Sequence, residues 1–428
     1  MPTRPIVLAT ILLVVLVPAG LLSCANHGSR PSDNATDDDN GDDAGDDDAG
    51  DDDSVPYPIV DTGQTKCYGS SGEITCPQPG EAFDGQDSQV QGNPPAYQDN
   101  DDGTVSDLVT GLMWVQARGE KATWADALVG APACDIGGYS DWRMPTIKEL
   151  YSLIEFTGKS GQQAADSVPY LDANFFGFAY GDTGSGERLI DCQDWSATEY
   201  VGTTMMGDAT TFGVNFADGR IKGYGRTDPR THADKTLYAR YVRGNPAYGI
   251  NDFLDQGDGT VDDRATGLQW QQADGGTTVD WENALAYCGG LSLAGFGDWR
   301  LPNAKELQSI VDYTRAPLVT GTAAIDPVFQ VTEIESYYWT STTHREGPGG
   351  LEGSAAVYIA FGRAMGWMEV PPGSGNWQLL DVHGAGAQRS DPKTGNPADY
   401  PHGLGPQGDD IRIFNYVRCV RGGLPASS

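Results

Sequence analysis

Asp141-Trp142-Arg143-Met144-Pro145-Thr146-Ile147-Lys148-Glu149-Leu150 returns 157 residues later (298 − 141) as Asp298-Trp299-Arg300-Leu301-Pro302-Asn303-Ala304-Lys305-Glu306-Leu307. Thr146 with Glu149, and Asn303 with Glu306, have the capping-box spacing of a helix start. Leu150, Leu153 and Ile154 then lie at i, i+3 and i+4, as do Leu307, Ile310 and Val311. That spacing predicts one buried stripe on each helix. Trp142 and Trp299 read as core, with Arg143 and Arg300 paired to a carboxylate or to carbonyls. Asp141 and Asp298 are expected to brace the loop before the helix. Lys148 and Glu149 are adjacent and do not face each other. They and their counterparts Lys305 and Glu306 are expected to be solvated or first-turn charges.

Working outward, the same order of motifs appears twice. Asp102 to Trp114 matches Asp258 to Trp270, Trp195 to Thr198 matches Trp339 to Thr342, and Arg240 to Gly244 matches Arg418 to Gly422. Each repeat is therefore expected to be a whole domain, 97–245 and 248–424. In each, a hairpin signal with a Thr-Gly turn comes first. A first helix is expected over Trp124 to Val129 and over Trp281 to Tyr287, then the capped helix. Short strands follow around Trp195, Val214 to Phe216 and Tyr238 to Val242, with counterparts over Tyr337 to Thr340, Val357 to Phe361 and Phe414 to Val420. Early helices followed by an antiparallel sheet make an α+β domain.

The 428 residues carry 27 Lys+Arg against 60 Asp+Glu, a formal charge of −33. A nucleic-acid binder needs a basic face, so that class is excluded as a partner. Twelve Asp lie between Asp33 and Asp53, but 25 basic and 48 acidic residues remain from Ser54 onward, leaving −23. Residues 1–23 read as a signal peptide, with the apolar run Ile6 to Val17 too short to span a bilayer comfortably. Leu21-Leu22-Ser23-Cys24 resembles a bacterial lipobox, which makes Cys24 the lipidation site and the membrane a partner through the lipid. The expected location is the cell envelope, at the outer membrane or cell surface. Residues 24–54 form an Asp-rich tether that cannot fold alone, and 55–96 a small Cys-containing lead segment.

Six further Cys remain, an even number suited to disulfides in an exported chain. Cys67 and Cys76 flank a Gly-rich turn and are expected to close a small loop. Cys134, Cys192, Cys288 and Cys419 divide between the repeats.

The patterns D-G-T-V-x-D-x-x-T-G-L-x-W, D-W-R-x-P-x-x-K-E-L, W-[ST]-x-T and V-R-C-V-R-G together resemble the Legionella collagen-like protein C-terminal domain family. The resemblance occurs twice and covers most of 97–424. It implies a C-type-lectin-like fold, shared with formylglycine-generating enzymes, in each of two tandem domains. It also implies a disulfide from the first helix to the last strand, Cys288–Cys419 in repeat 2. In repeat 1, Cys134 holds the first place but Tyr241 replaces the second Cys, so Cys192 is the candidate partner.

Catalytic signatures are scarce. The five His form no H-E-x-x-H, and there is no G-x-S-x-G. No catalytic residue is expected. Asp99, Asp101 and Asp107 alternate around a Gly, as a Ca²⁺ loop requires, but the closing bidentate Glu is absent. They are the only cofactor candidates, and the plainer reading is a polar turn feeding a hairpin.

Repeat 2 carries 35 extra residues, since the offset grows from 143 at Gly219/Gly362 to 178 at Arg240/Arg418. They fall within 369–410, a Gly- and Pro-rich stretch. Long loops on a rigid scaffold are where specificity resides. Trp377, His383, Arg389, Tyr400 and His402 are the candidate ligand-binding residues, because aromatics stack on sugar faces and Arg and His donate hydrogen bonds. The expected function is a non-catalytic, adhesin-like binding module for a glycan or another extracellular ligand. The alternatives are a structural envelope protein that binds a protein partner and a degenerate relative of formylglycine-generating enzymes.

Overall fold

The computed structural model describes residues 56–228, 231–346 and 352–425. The apolar run, Cys24 and the Asp tract lie outside these residues. Among the described residues, no helix is long and apolar enough to cross a membrane.

The capped helices form where the spacing places them. Helix α1 spans Trp124–Gly130, α2 Ile147–Ser152, α3 Trp281–Gly289 and α4 Ala304–Ser309. Both capping boxes are complete: Thr146 Oγ1 accepts from Glu149 N, and Asn303 Oδ1 from Glu306 N. The stripes Leu150, Leu153, Ile154 and Leu307, Ile310, Val311 are buried in one cluster. Each such side chain contributes roughly 1.5–3 kcal/mol by leaving water.

Each repeat closes on itself through a four-stranded antiparallel sheet. In repeat 1 the order is Val242–Gly244, Leu112–Val115, Thr104–Asp107, Tyr97–Asp99. In repeat 2 it is Phe253–Asp255, Thr260–Asp263, Leu268–Gln271, Val420–Gly422. The opening hairpin of each repeat therefore pairs with its own last strand. Few helices and several small antiparallel sheets make the architecture α+β.

The repeats are then joined by a six-stranded antiparallel sheet. Its order is Tyr337–His344, Ala355–Ala360, Gln388–Pro392, Arg220–Gly225, Asp208–Asn215, Asp194–Thr204. Each repeat supplies three strands, and Gln388 meets Ile221 at the seam. Strand Arg220–Gly225 goes beyond the strands expected from the sequence. Its sheet counterpart in repeat 2 comes from within the insertion. The segment after Gly362-Arg363 instead pairs as a separate hairpin, Met365–Glu369 with Trp377–Asp381.

The core follows this arrangement. One cluster mixes both repeats, with Leu150, Phe212 and Val214 beside Leu307, Ile310 and Val357. Two flanking clusters each belong to one repeat, around Trp142 and Trp195 and around Trp299 and Trp339. The lead segment straps across both. Phe156 N donates to Thr62 O, while the Gln64 amide pairs with both backbone groups of Thr343 at 2.9 Å. Gln64 thus covers part of the exposed edge of the joined sheet, where unpaired backbone groups otherwise invite association.

Two disulfides form as expected, Cys67–Cys76 and Cys288–Cys419. The Cys134–Cys192 pair does not. Cys134 packs in the repeat 1 cluster that also holds Tyr241. The Cys192 thiol lies against Leu189 O and Asn215 Oδ1, at 3.7 and 3.9 Å. Tyr241 fills the place that a bonded sulfur takes in repeat 2.

The Lys-Glu pairs lie in the first turn of their helices, one of the two expectations, but they are not solvated. Glu149, Lys305 and Glu306 are buried, and Lys148 is half-buried. Arg143 holds Glu149 through two hydrogen bonds, at 2.7 and 2.5 Å, and Arg300 holds Glu306 through two at 2.6 Å. The lysines cross between repeats. Lys148 Nζ donates to Ser309 O at 2.6 Å, and Lys305 Nζ to Ser152 O at 2.8 Å. Each therefore caps the last residue of the other repeat's helix, where a cation complements the helix dipole.

Burial pushes the Lys305 ammonium down to about 8 from 10.5. The unfolded chain keeps that proton across the interval, so this group makes stability rise with pH between about 8 and 10.5. Urea denaturation of wild type and Lys305→Met at pH 7.5 and 9.5 checks this. The stability of wild type relative to the variant is expected to grow at the higher pH. A constant or shrinking difference would contradict the assignment.

Candidate functional site

The residues of strand Arg220–Gly225 alternate in character. Ile221 enters the shared core, while Arg220, Lys222 and Tyr224 project to the opposite face. On the neighbouring strand, Arg389 and Ser390 come from the insertion. Segment 404–411 passes over them, and Gly366 bridges to Asp409 to hold that segment against the 365–381 hairpin. The result is a cavity of about 260 Å³ at the seam between the repeats.

Its walls are charged. Asp218 Oδ2 accepts from Lys222 Nζ at 2.8 Å. Arg220 pairs with Glu346 from repeat 2 and donates to Ser390 Oγ at 2.8 Å. Asp409 lies between two partners, with Oδ1 2.8 Å from His383 Nε2 and Oδ2 3.0 Å from Arg389 Nε. Burial works to raise the Asp409 carboxyl, but Arg389, His383 and Arg220 outweigh it and hold it well below the usual range. Burial lowers His383 to about 4, with the Arg389 charge adding to it, so its imidazole is neutral at pH 7. Burial likewise takes Lys222 down to about 8, against the pull of Asp218.

Several buried atoms of these side chains have no hydrogen-bond partner among the described residues: Arg220 Nε, Arg389 Nη1, Tyr224 Oη and Asp218 Oδ1. Asp218, Tyr224 and Arg389 are each less than 10% exposed. Such groups cost about 1–3 kcal/mol apiece unless something fills their bonding capacity. A wider groove of about 620 Å³ runs beside α2, but its principal charges, Arg143 with Glu149 and the triply bonded Lys148, are already engaged.

The five binding candidates separate. His383 and Arg389 are buried at the seam, where His383 O also accepts from Gly223 N. Arg389 alone of the five lines the cavity. Trp377 and His402 lie outside on the hairpin side, stacked at 4.2 Å between ring centres with planes 10° apart. His402 is exposed, and Trp367 stands 6.5 Å from it. Half-buried Tyr400 ends a short turn, its amide donating to Pro397 O, and does not line the seam cavity. Sequence reasoning missed Asp218, Arg220, Lys222, Tyr224, Glu346 and Asp409. The alternation Arg220-Ile221-Lys222 was the available signal, since a half-buried strand seldom carries two cations on one face.

The Ca²⁺ candidates do not converge. Asp107 is buried and its Oδ1 accepts from Val109 N and Thr110 N, while exposed Asp99 holds Asp101 N and Gln116 Nε2. Among the described residues, no three His, Cys, Asp or Glu gather as a metal site. The D-W-R motif is likewise structural. Trp142 and Trp299 are core and donate to Ile136 O and Leu293 O. Asp141 and Asp298 pair at 2.7 Å with Arg243 and Arg421 of the closing strands, rather than bracing the helix loop. Arg240 and Arg418 are fully buried and donate to backbone carbonyls, including Gly177 O and Gln330 O.

Asp409→Asn would leave Arg389 and its neighbours buried without their carboxylate. The expected loss is about 3–5 kcal/mol in chemical denaturation. A loss below about 1 kcal/mol would mean that this pair does not organise the wall.

No curated protein and no solved structure significantly matches the chain. The sequence profile of the Lcl C-terminal domain matches residues 103–243 and again 259–371, and the second match ends inside the 365–381 hairpin. With well over half of its residues covered by these two matches, the chain belongs to the Lcl C-terminal domain family and carries the domain in tandem.

Proposed function

We propose that the chain is a lipid-anchored, non-catalytic binding module of the bacterial cell envelope. In this reading Cys24 carries the lipid, the Asp-rich tether gives reach, and each repeat is a C-type-lectin-like domain. The closure of each repeat, first hairpin against last strand, supports that fold. The ligand is a glycan, met by the hairpin that the insertion adds to repeat 2. The observation that carries this is the stack of His402 on Trp377, with Trp367 beside it on the same hairpin as Trp377. Half-buried Trp367 and Trp377 with exposed His402 gather aromatic rings at one surface, and aromatic rings suit the apolar faces of sugar rings. The repeated motif residues support a binding rather than a catalytic role, because Trp, Arg, Asp, Lys and Glu are each engaged in holding the fold.

A protein partner is the second reading, and exposed apolar side chains favour it. Leu318 and Val319 are 72% and 54% exposed on helix α5 (Pro317–Thr320), which lies against strand Asp194–Thr204. Met206, 78% exposed, follows that strand. The two readings predict opposite effects of two substitutions. Trp377→Ala is expected to abolish capture on a glycan array with and without Ca²⁺, leaving thermal unfolding unchanged, while Leu318→Glu leaves capture intact. Loss of a stoichiometric envelope partner through Leu318→Glu, with silence across neutral and anionic glycans, would replace the glycan reading with the protein one.

A further inference from the structure

The two repeats build the same cleft, and the chain covers only one of them. In repeat 2, strand Tyr337–His344 ends the joined sheet, and the lead segment lies against it. Thr342 Oγ1 donates to Asp87 Oδ2 at 2.5 Å, and the Gln64 amide holds Thr343 N and O, each at 2.9 Å. From repeat 1, Phe156 N donates to Thr62 O at 2.7 Å. Lys305 Nζ adds a bond to Asp61 O at 2.9 Å. Thr342, Thr343 and Phe156 are buried as a result.

Repeat 1 leaves its cleft open. Thr198 takes the place of Thr342, since Ile147 N donates to Thr198 Oγ1 and Ala304 N to Thr342 Oγ1, both at 2.9 Å. Glu199 then takes the place of Thr343, on the strand that ends the sheet at its other side, Asp194–Thr204. Tyr313 follows Phe156 by the repeat offset of 157 (313 − 156). Ile147, Thr198 and Tyr313 line the groove of about 620 Å³ beside α2. Thr198 and Tyr313 are half-buried and Glu199 is exposed. Neither N nor O of Tyr313 has a hydrogen-bond partner among the described residues. The linker between the repeats only begins the lead segment's path. Gly249 O accepts from Lys148 Nζ, as Asp61 O does from Lys305 Nζ. The chain then turns into strand Phe253–Asp255 and leaves Ile250, which lines the groove, 58% exposed.

A groove that runs to a sheet edge suits an extended polypeptide, held by main-chain bonds and selected by its side chains. The lead segment shows what such a chain presents: a carbonyl to the loop and a glutamine amide to the strand. A second copy has no lead segment to offer, because its own is bonded into its repeat 2. The Asp-rich tract is opposed by charge. The groove lining sets Glu149, Asp312 and Asp326 against Arg143 and Lys148, and both cations are already engaged. We infer that the repeat 1 cleft docks an extended segment of a second protein, one that carries a glutamine and no net negative charge, in the manner of residues 59–66. This goes beyond the glycan reading and uses none of its residues.

The test uses the full-length chain in detergent and a capped synthetic peptide of residues 59–66, in which Asp61 and Lys66 balance. A second form of the peptide carries a photoreactive group at Thr65, which is exposed in the lead segment. Calorimetry is expected to show one peptide bound per chain. Gln64→Ala in the peptide is expected to weaken binding about tenfold, the scale of one or two lost hydrogen bonds. Ile250→Glu in the protein should weaken it by a similar factor while thermal unfolding stays unchanged, because that side chain is largely in solvent. Cross-links should map to 195–204 and 310–315. Cross-links at 155–158 and 341–346 would mean that the peptide displaces the lead segment from repeat 2, and would overturn the inference. Absence of saturable binding, or binding indifferent to both substitutions, would overturn it as well. Displacement of the probe by a peptide of residues 33–53 would give the cleft to the chain's own tether. A dimer in sedimentation that Ile250→Glu dissolves would give it to a second copy. Either result sinks the second-protein assignment. Trp377→Ala should leave peptide binding intact, and Ile250→Glu should leave glycan capture intact, so the two readings fail separately.

Discussion

Two ammonium groups hold the repeats together. Lys148 and Lys305 occupy equivalent places in the repeated motif, and each donates to the terminal carbonyl of the other repeat's helix. Burying an ammonium is costly unless its protons find acceptors. Three acceptors meet Lys148: Gly249 O, Asn251 Oδ1 and Ser309 O. Neither lysine can be satisfied within its own repeat alone. The exchange therefore requires α2 and α4 to lie against each other, and once they do, Leu150 and Leu307 belong to a single core. The Arg143–Glu149 and Arg300–Glu306 pairs then fix the start of each helix from beneath, so the lysines point across the seam.

The joined sheet follows from the same approach of the two halves. With the helices packed together, the third strands of the two repeats meet edge to edge. Repeat 1 offers Arg220–Gly225, the strand that directly follows its Gly219-Arg220 turn. Repeat 2 offers Gln388–Pro392, reached only after the hairpin 365–381 has been paid out. The insertion is consequently not a loop laid over a finished domain. Part of it completes the sheet, part becomes the hairpin, and part covers the cavity. This explains why His383 and Arg389 are buried at the junction while Trp377 and His402 remain outside.

Local features were legible in the sequence, and contacts between repeats were not. Both capping boxes, the paired helices and the Thr-Gly hairpins depend on residues within a few positions of each other, so spacing reveals them. Cys67–Cys76 is similarly local, and Cys288–Cys419 followed from the family likeness. Lys148 and Lys305 lie in the first helical turn as spacing indicates, but their burial was not legible, because spacing tells which face a side chain occupies, not what covers it. The expectation that Cys192 would substitute for a missing partner failed because Tyr241 packs in the cluster with Cys134, where repeat 2 has its second cysteine. The insertion misled by alignment. Gly362-Arg363 matches Gly219-Arg220 by motif, yet the strand that replaces Arg220–Gly225 in the sheet lies beyond it.

The acidity of the molecule bears on what the seam can hold. Outside the tract, the chain still carries −23, and a field of that sign repels polyanions at moderate ionic strength. A binding site can overcome it by concentrating cations, but the seam does not. Arg220, Lys222 and Arg389 are each tied to a carboxylate of the wall, and Arg188 to Asp191. Removing a carboxylate to favour an anion would loosen the wall, since Asp218 and Asp409 each anchor two neighbours. The ion pairs that build the cavity walls therefore also set the charge around it.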